Sequence, residues 1–262
     1  VVLRILRSDA AMIGLRNLGM RDDTLETFNN IINKPNGIFL VTGPTGSGKT
    51  TTLYAALGRI DRQSRNVMTI EDPVEYHLDG ISQMQVNPKR GVTFATGLRA
   101  LLRQDPDVIL VGEIRDPETA QLAIQASLTG HLVLATLHTN DAPSAIPRLL
   151  DIGVEPYLVT SSLLGVLAQR LLRRICPVCH GTGRVNGETC DNCLGTGYKG
   201  RLAVHELMLM SDELRRLTSD RADGVTLYET AVDGGFEPMK IDALAKVRQG
   251  LTDEAEVFRA LH

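Results

Sequence analysis

Eight consecutive residues, Gly43-Pro44-Thr45-Gly46-Ser47-Gly48-Lys49-Thr50, fit the pattern G-x-x-x-x-G-K-[ST] at every fixed position. Each fixed residue type has a chemical reason to be there. Glycines let the backbone fold around an anion, so that successive N–H groups point inward. A helix starting here adds the positive end of its dipole. Lys49 carries a point charge to the β- and γ-phosphates, and the Thr50 hydroxyl is placed to ligate Mg²⁺; Thr51, next in the same turn, belongs to the binding set. The flanks agree. Residues 38–41 (IFLV) are an apolar run of strand length, and TTLYAALGRI after the loop reads as a helix with an apolar face. A chance glycine turn would not bring a strand before it and a helix after it. The expectation is a site for ATP with Mg²⁺.

The acidic partners of such a site belong at the carboxyl ends of neighbouring strands, where open α/β sheets put their chemistry. NVMTIE (66–71) is a second apolar run and ends in Glu71-Asp72-Pro73-Val74-Glu75-Tyr76. Alone, that stretch reads as a solvated acidic turn; beside a phosphate loop it reads as catalytic. Residues 107–112 (DVILVG) form a third run, closed by Glu113. Gly112 stands where the Mg²⁺-associated Asp of a Walker B strand is expected, so Glu113 alone remains there and Glu71 would share the load. HLVLATLHTN (131–140) is a fourth run with a polar end. A lone histidine is usually structural, but His138 sits at the same edge as the other motifs, which favours phosphate sensing; His131, at the start of the strand, is the weaker candidate. Arg99 and Arg103 are four apart, hence on one face of the helical pattern over 93–104.

Cys176-Pro-Val-Cys179 and Cys190-Asp-Asn-Cys193 are separated by ten residues and are each followed by a Gly-Thr-Gly segment. Two CxxC pairs in a reducing compartment argue for metal rather than disulfides. Four thiolates suit tetrahedral Zn²⁺ in a closed structural site. CxxCxGxG is also the repeat of cysteine-rich chaperone domains, but two copies alone do not displace the nucleotide-site reading of the rest of the chain.

The chain's 262 residues carry net charge −3, with 43% hydrophobic, 23% charged and 4% aromatic residues. That is an ordinary globular composition with room for a large core. The acidic balance and few aromatics weigh against a nucleic-acid groove, and no nucleic-acid partner is expected. No apolar stretch has membrane-spanning length, and no signal peptide is visible, so cytosolic folding is expected. The first residues, VVLRIL, begin in mid-pattern without a Met, as a fragment lacking an N-terminal part would.

The elements that must position these groups follow from the alternation of strand-like runs at 38–42, 66–71, 107–112 and 132–137 with helical patterns. The fold class expected is α/β: a mostly parallel sheet with helices on both faces. Residues 1–7 read as a strand, 8–20 as a linker, 157–172 as a long apolar helix and 211–262 as a small helical bundle broken at Gly224 and Gly234-Gly235. Asp22 or Asp23 is placed to cap a helix running to about residue 33. The domain division expected is 1–20, the tail of a preceding domain and linker; 21–172, the ATPase core; 173–201, the tetracysteine subdomain; and 202–262, a helical subdomain.

GPTGSGKTTTLYAAL, IEDPVEYHLDGISQMQVNP, GLRALLRQDPDVILVGEIRDPETAQLAIQASLTGHLVLATLHTNDA, LLGVLAQRLLR and the paired CxxC before GYKGR, in that order, resemble the secretion ATPase superfamily. Within it they are most similar to the assembly ATPases of type II secretion and type IV pili; HELMLM after GYKGR leans toward type II secretion. The resemblance implies a RecA-like core with a tetracysteine zinc subdomain, in a homo-hexameric cytoplasmic motor peripheral to the bacterial inner membrane. Such a motor drives pseudopilus assembly through an inner-membrane platform bound by its N-terminal region. It implies that Lys49 and Thr50 hold phosphate and Mg²⁺, that Glu71 is the general base, that Glu113 holds Mg²⁺, and that His138 belongs to a conserved histidine segment. Arg4, Arg99, Arg103, Arg115 and Arg201 match positions that approach phosphates or link subunits. The ten-residue spacer between the cysteine pairs departs from members with longer ones. Outside the resemblance, a nucleic-acid-translocating ATPase and a metal-stabilised scaffold without turnover remain alternatives.

Overall fold

A computed structural model describes residues 14–261 of the chain. Arg4, the strand expected over 1–7 and residues 8–13 of the expected linker lie outside the described residues.

A short 3-10 turn over Leu15–Leu18 precedes α1 (Asp22–Ile32). Asp22 and Asp23 sit inside the first turn of α1, behind Arg21 at the N-cap, rather than capping it. There they complement the helix dipole. The core elements then alternate: β1 (Gly37–Thr42), α2 (Lys49–Leu57), β2 (Val67–Glu71), β3 (Ser82–Gln85), α3 (Phe94–Leu101), β4 (Val108–Val111), α4 (Pro117–Leu128), β5 (Leu132–Leu137), α5 (Ala145–Asp151) and α6 (Pro156–Ser162). Next come β6 (Leu163–Ile175), the small hairpin β7 (Arg184–Val185) and β8 (Glu188–Thr189), and β9 (Tyr198–Leu209). The last elements are α7 (Asp212–Ser219), α8 (Gly224–Asp233), α9 (Met239–Arg248) and α10 (Glu254–Leu261).

Among the described residues the main sheet has seven strands, in the order β3-β2-β4-β5-β1-β6-β9. All pairings are parallel except β6 with β9. β1, β4 and β5 are buried along their whole length because both faces are apolar. Side chains alternate across a strand. Ile38 and Leu40 therefore enter one core and Phe39 and Val41 the other; Ile109 and Val111 oppose Val108 and Leu110 in the same way. Truncating one such residue, Leu40→Ala for instance, removes about 2–5 kcal/mol.

The long helix expected over 157–172 is not formed. α6 ends at Ser162, and Leu163 begins a thirteen-residue strand. β6 lies between β1 and β9 and is buried on both faces through Gln169, apart from half-buried Leu164. A continuous apolar run suits a buried strand as well as a buried helix, and only its neighbours choose. The outer edge of β9 is covered by α9: Asp242 accepts from His205 N at 2.8 Å and Lys246 donates to Ala203 O at 2.7 Å. That satisfies backbone groups an edge strand would otherwise leave open. No helix among the described residues is long and apolar enough to cross a membrane.

Candidate active site and metal centre

The carboxyl ends of β1, β2, β4 and β5 open on one side of the sheet, and a cavity of about 880 Å³ lies there. Thr45 to Thr51 line it, together with Glu71, Glu113, Arg115, His138 and Arg201. Parallel pairing of β2, β4, β5 and β1 brings Glu71, Glu113 and His138 to the phosphate loop, and the antiparallel pairing of β9 with β6 carries Arg201 to the same cavity, 156 positions from Thr45. Gly43 and Pro44 form the approach from β1. Lys49 is nearly buried, and its Nζ donates to the carbonyls of Gly43 at 2.7 Å and Pro44 at 3.1 Å. Burial pushes the Lys49 ammonium down from its usual lysine value, and the Glu113 charge opposes that shift. Ser47 Oγ is buried without a hydrogen-bond partner. A cation held only by loop carbonyls and an orphaned hydroxyl fit a polyanion entering this loop.

Glu71 is almost fully buried and anchored at both oxygens. Oε1 accepts from Thr69 Oγ1 at 2.6 Å and from Gln83 Nε2 at 3.2 Å, and Oε2 accepts from the Tyr54 hydroxyl. Burial and that hydrogen bond push the Tyr54 phenol up, so it stays a donor. Tyr54 lies one turn beyond Thr50 on α2, which ties the carboxylate to the phosphate-loop helix. Nothing in the local sequence marked Tyr54, Thr69 or Gln83 as partners of Glu71. Asp72, Glu75 and Tyr76 also line the cavity.

Glu113 differs in its company. Its Oε2 accepts from Arg115 Nε and lies 3.4 Å from His138 Nε2. Gly112 has a steric cause: a Cβ there would lie 3.2 Å from both Glu71 Cα and Ile70 O, where β2 and β4 approach too closely for an Asp without displacement. Its carbonyl instead accepts from Thr136 Oγ1 at 2.6 Å. Arg115 and Arg201 line the cavity; Arg99 and Arg103 do not. Arg99 pairs with Glu118 of α4 at 2.6 Å, and Arg103 follows α3 in a separate 3-10 turn. His131 bonds locally to Ala126 O at 2.8 Å.

The four cysteines converge, all buried, with their sulfurs within 4.8 Å of one another. Cys176 and Cys190 Sγ are 3.9 Å apart, and Cys179 and Cys193 Sγ 3.6 Å. A zinc tetrahedron with Zn–S about 2.3 Å has an edge of about 3.8 Å, so the donor set fits that ion. Backbone N–H groups of Gly183 and Gly197 each donate to a sulfur at 3.3 Å, and Asn192 Nδ2 to Cys176 Sγ at 3.2 Å, as a thiolate cluster requires. The two knuckles repeat each other: Thr182 and Thr196 each bond back to the carbonyl of their second cysteine at 2.7 Å. The knuckles join the body through Arg173, whose N and Nε donate to Glu256 at 2.8 and 2.9 Å and whose guanidinium lies 4.1 Å over the Tyr198 ring.

Residues 1–259 match the family model described as type II/IV secretion system protein. The type II secretion system protein HxcR of Pseudomonas aeruginosa is 55% identical over 99% of this chain and 56% of its own length. The type II secretion system ATPase E of Vibrio cholerae is 49% identical over 99% and 55%, and the type IV pilus assembly ATPase PilB of Thermus thermophilus 47% over 98% and 31%. The chain thus spans about half the length of the type II relatives it matches. In structure it resembles the pilus retraction motor PilT with bound ADP, at TM-score 0.77 and 32% identity over 97% of this chain and 67% of that one. It also resembles the Legionella pneumophila ATPase DotB, at TM-score 0.72 and 26% identity over 93% and 63%.

Proposed function

The chain belongs to the type II/IV secretion system protein family, and we propose that it is the ATP-hydrolysing portion of a motor that powers pseudopilus assembly for type II protein secretion. The observation that carries the reading is one cavity faced by the phosphate loop from Thr45 onward, Glu71, Glu113 and His138. Loop N–H groups and Lys49 bind the phosphates. Thr50 and Glu113 would hold Mg²⁺, which supplies charge neutralisation when bound. Glu71, oriented by three uncharged donors, is assigned as the base that polarises water. Glu113, whose charge is felt at Lys49, sits toward the phosphate end. Arg115, Arg201 and His138 answer developing phosphate charge. The tetracysteine cluster holds a structural Zn²⁺, since four protein ligands leave no open position.

A homo-hexamer, contact with an inner-membrane platform and location at the cytoplasmic face of that membrane belong to the same proposal, as does the division at residues 20, 172 and 201. A role in type IV pilus assembly is the second reading, favoured by the similarity to PilB. The test is Mg-ATP turnover of the chain and of Lys49→Ala. Turnover lost in the variant is expected; equal turnover in both overturns the assignment of the cavity.

A further inference from the structure

Gln169 of β6 lies directly beneath the phosphate loop. It is buried, at 2% exposure, and both ends of its amide are used. Nε2 donates to Ser47 O at 2.7 Å, and Oε1 accepts from Thr52 Oγ1 of α2 at 2.6 Å. The orientation of the amide is fixed by its partners. A backbone carbonyl only accepts, so the NH₂ end must face Ser47, and the hydroxyl of Thr52 then donates to the other end. The loop rests on this residue closely. A Cβ on Gly43 would stand 2.3 Å from Gln169 O, and one on Gly48 2.7 Å from Gln169 Nε2.

We propose that Gln169 is a positioning residue that sets the peptide plane through which the phosphate loop presents the Gly48 N–H to a nucleotide phosphate. The inference rests on the nucleotide reading of the cavity. The Ser47–Gly48 peptide is trans, and in a trans peptide the C=O and the following N–H point in opposite directions. Holding the Ser47 carbonyl down on Gln169 therefore aims the Gly48 N–H away from β6, toward the cavity that Ser47, Gly48 and Lys49 line. A glycine at left-handed φ of +90° leaves this plane free to flip unless something pins it. A flipped plane would turn a carbonyl oxygen toward the phosphates in place of a donor. Thr52 is the second part of the device, because its hydroxyl keeps the Gln169 amide from turning over.

The test measures Mg-ADP binding to the 262-residue chain by calorimetry, with hydrogen exchange of the loop in the nucleotide-free protein. Gln169→Glu keeps the size and the acceptor for Thr52 but sets a carboxylate oxygen against the Ser47 carbonyl; Gln169→Met keeps the volume alone. Both are expected to raise Kd tenfold or more and to speed exchange over residues 43–49. Thr52→Val should raise Kd by a smaller factor, and Thr52→Ser, which keeps the hydroxyl, should restore it. A Kd within twofold of the unaltered chain in both Gln169 variants, or unchanged loop exchange beside a raised Kd, overturns the inference. Should the Gln169 variants not fold, equal Kd in Thr52→Val and Thr52→Ser overturns it. No binding of Mg-ADP by the unaltered chain would instead remove the nucleotide reading beneath it.

Discussion

The phosphate loop and the tetracysteine knuckles are both glycine-rich turns, and they use glycine for opposite ends. At Gly46 a Cβ would meet nothing within 4 Å, so the loop keeps its centre open and its N–H groups accessible. At Gly183 and Gly197 a Cβ would stand 2.4 Å from Gly195 O and 2.5 Å from Gly181 O, so the two knuckles close on each other backbone to backbone. The first region is held from outside, by β6 and α2. The second has little core of its own beyond the four cysteines. An open site for an exchangeable polyanion needs a rigid frame around it. A closed site for a resident cation supplies its own frame once the ion is bound.

The largest effect that sharpens this contrast is metal loss. Structural zinc contributes about 10–16 kcal/mol in small peptides, so Cys190→Ser or Cys193→Ser is expected to drop zinc from one per chain to near zero and to melt the knuckles over residues 176–197, between β6 and β9. Metal analysis together with limited proteolysis reads the outcome; a full complement of folded protein without zinc would break the contrast. Second is the chemistry in the open site. Glu71→Gln should lower kcat by about 10²–10⁴-fold with nucleotide binding retained, the range for general-base assistance. Glu113→Gln should also lower kcat and raise the Mg²⁺ requirement. Near-normal turnover in Glu71→Gln alone would exchange the two roles.

Smaller effects separate the glycines. Gly46→Ala meets only the strain of a left-handed φ of +80°, about 1–2 kcal/mol. Gly183→Ala adds an overlap with a carbonyl that cannot retreat, so its Tm should fall further and its zinc be lost more readily. Equal Tm losses would show that space is not what distinguishes the regions. The smallest effect is at the joint. The Glu256 carboxyl is buried, which alone would raise its pKa, but hydrogen bonds from Arg259 and Arg173 outweigh burial and hold it down to about 2. A depressed carboxyl stabilises the fold above its ordinary value of 4.5 and loses that contribution as pH falls toward 2. The Tm advantage of the unaltered chain over Glu256→Gln should therefore shrink by a few degrees between pH 5 and pH 3. A constant gap would deny Glu256 this role.

What the sequence determined by itself was local. The phosphate loop is eight contiguous residues whose geometry is set by the backbone, and the clustered cysteines are two short pairs with glycine beside them; both can be read without knowing what surrounds them. Glu71 and Glu113 were legible one step further out, because an acidic residue closing an apolar strand points to a sheet edge. Tertiary structure decided the rest. The spacing of Arg99 and Arg103 predicts one shared helix face, but α3 ends at Leu101, Arg103 falls in a separate 3-10 turn, and Arg99 turns to Glu118. Residues 163–175 have no period that separates helix from strand, and pairing with β1 and β9 made them β6. Tyr54 and Gln169 gained their roles the same way. A buried polar side chain must find a partner, and the partner of Gln169, the Ser47 carbonyl, lies 122 residues away in sequence, at a place only the order of strands in the sheet could bring beneath it.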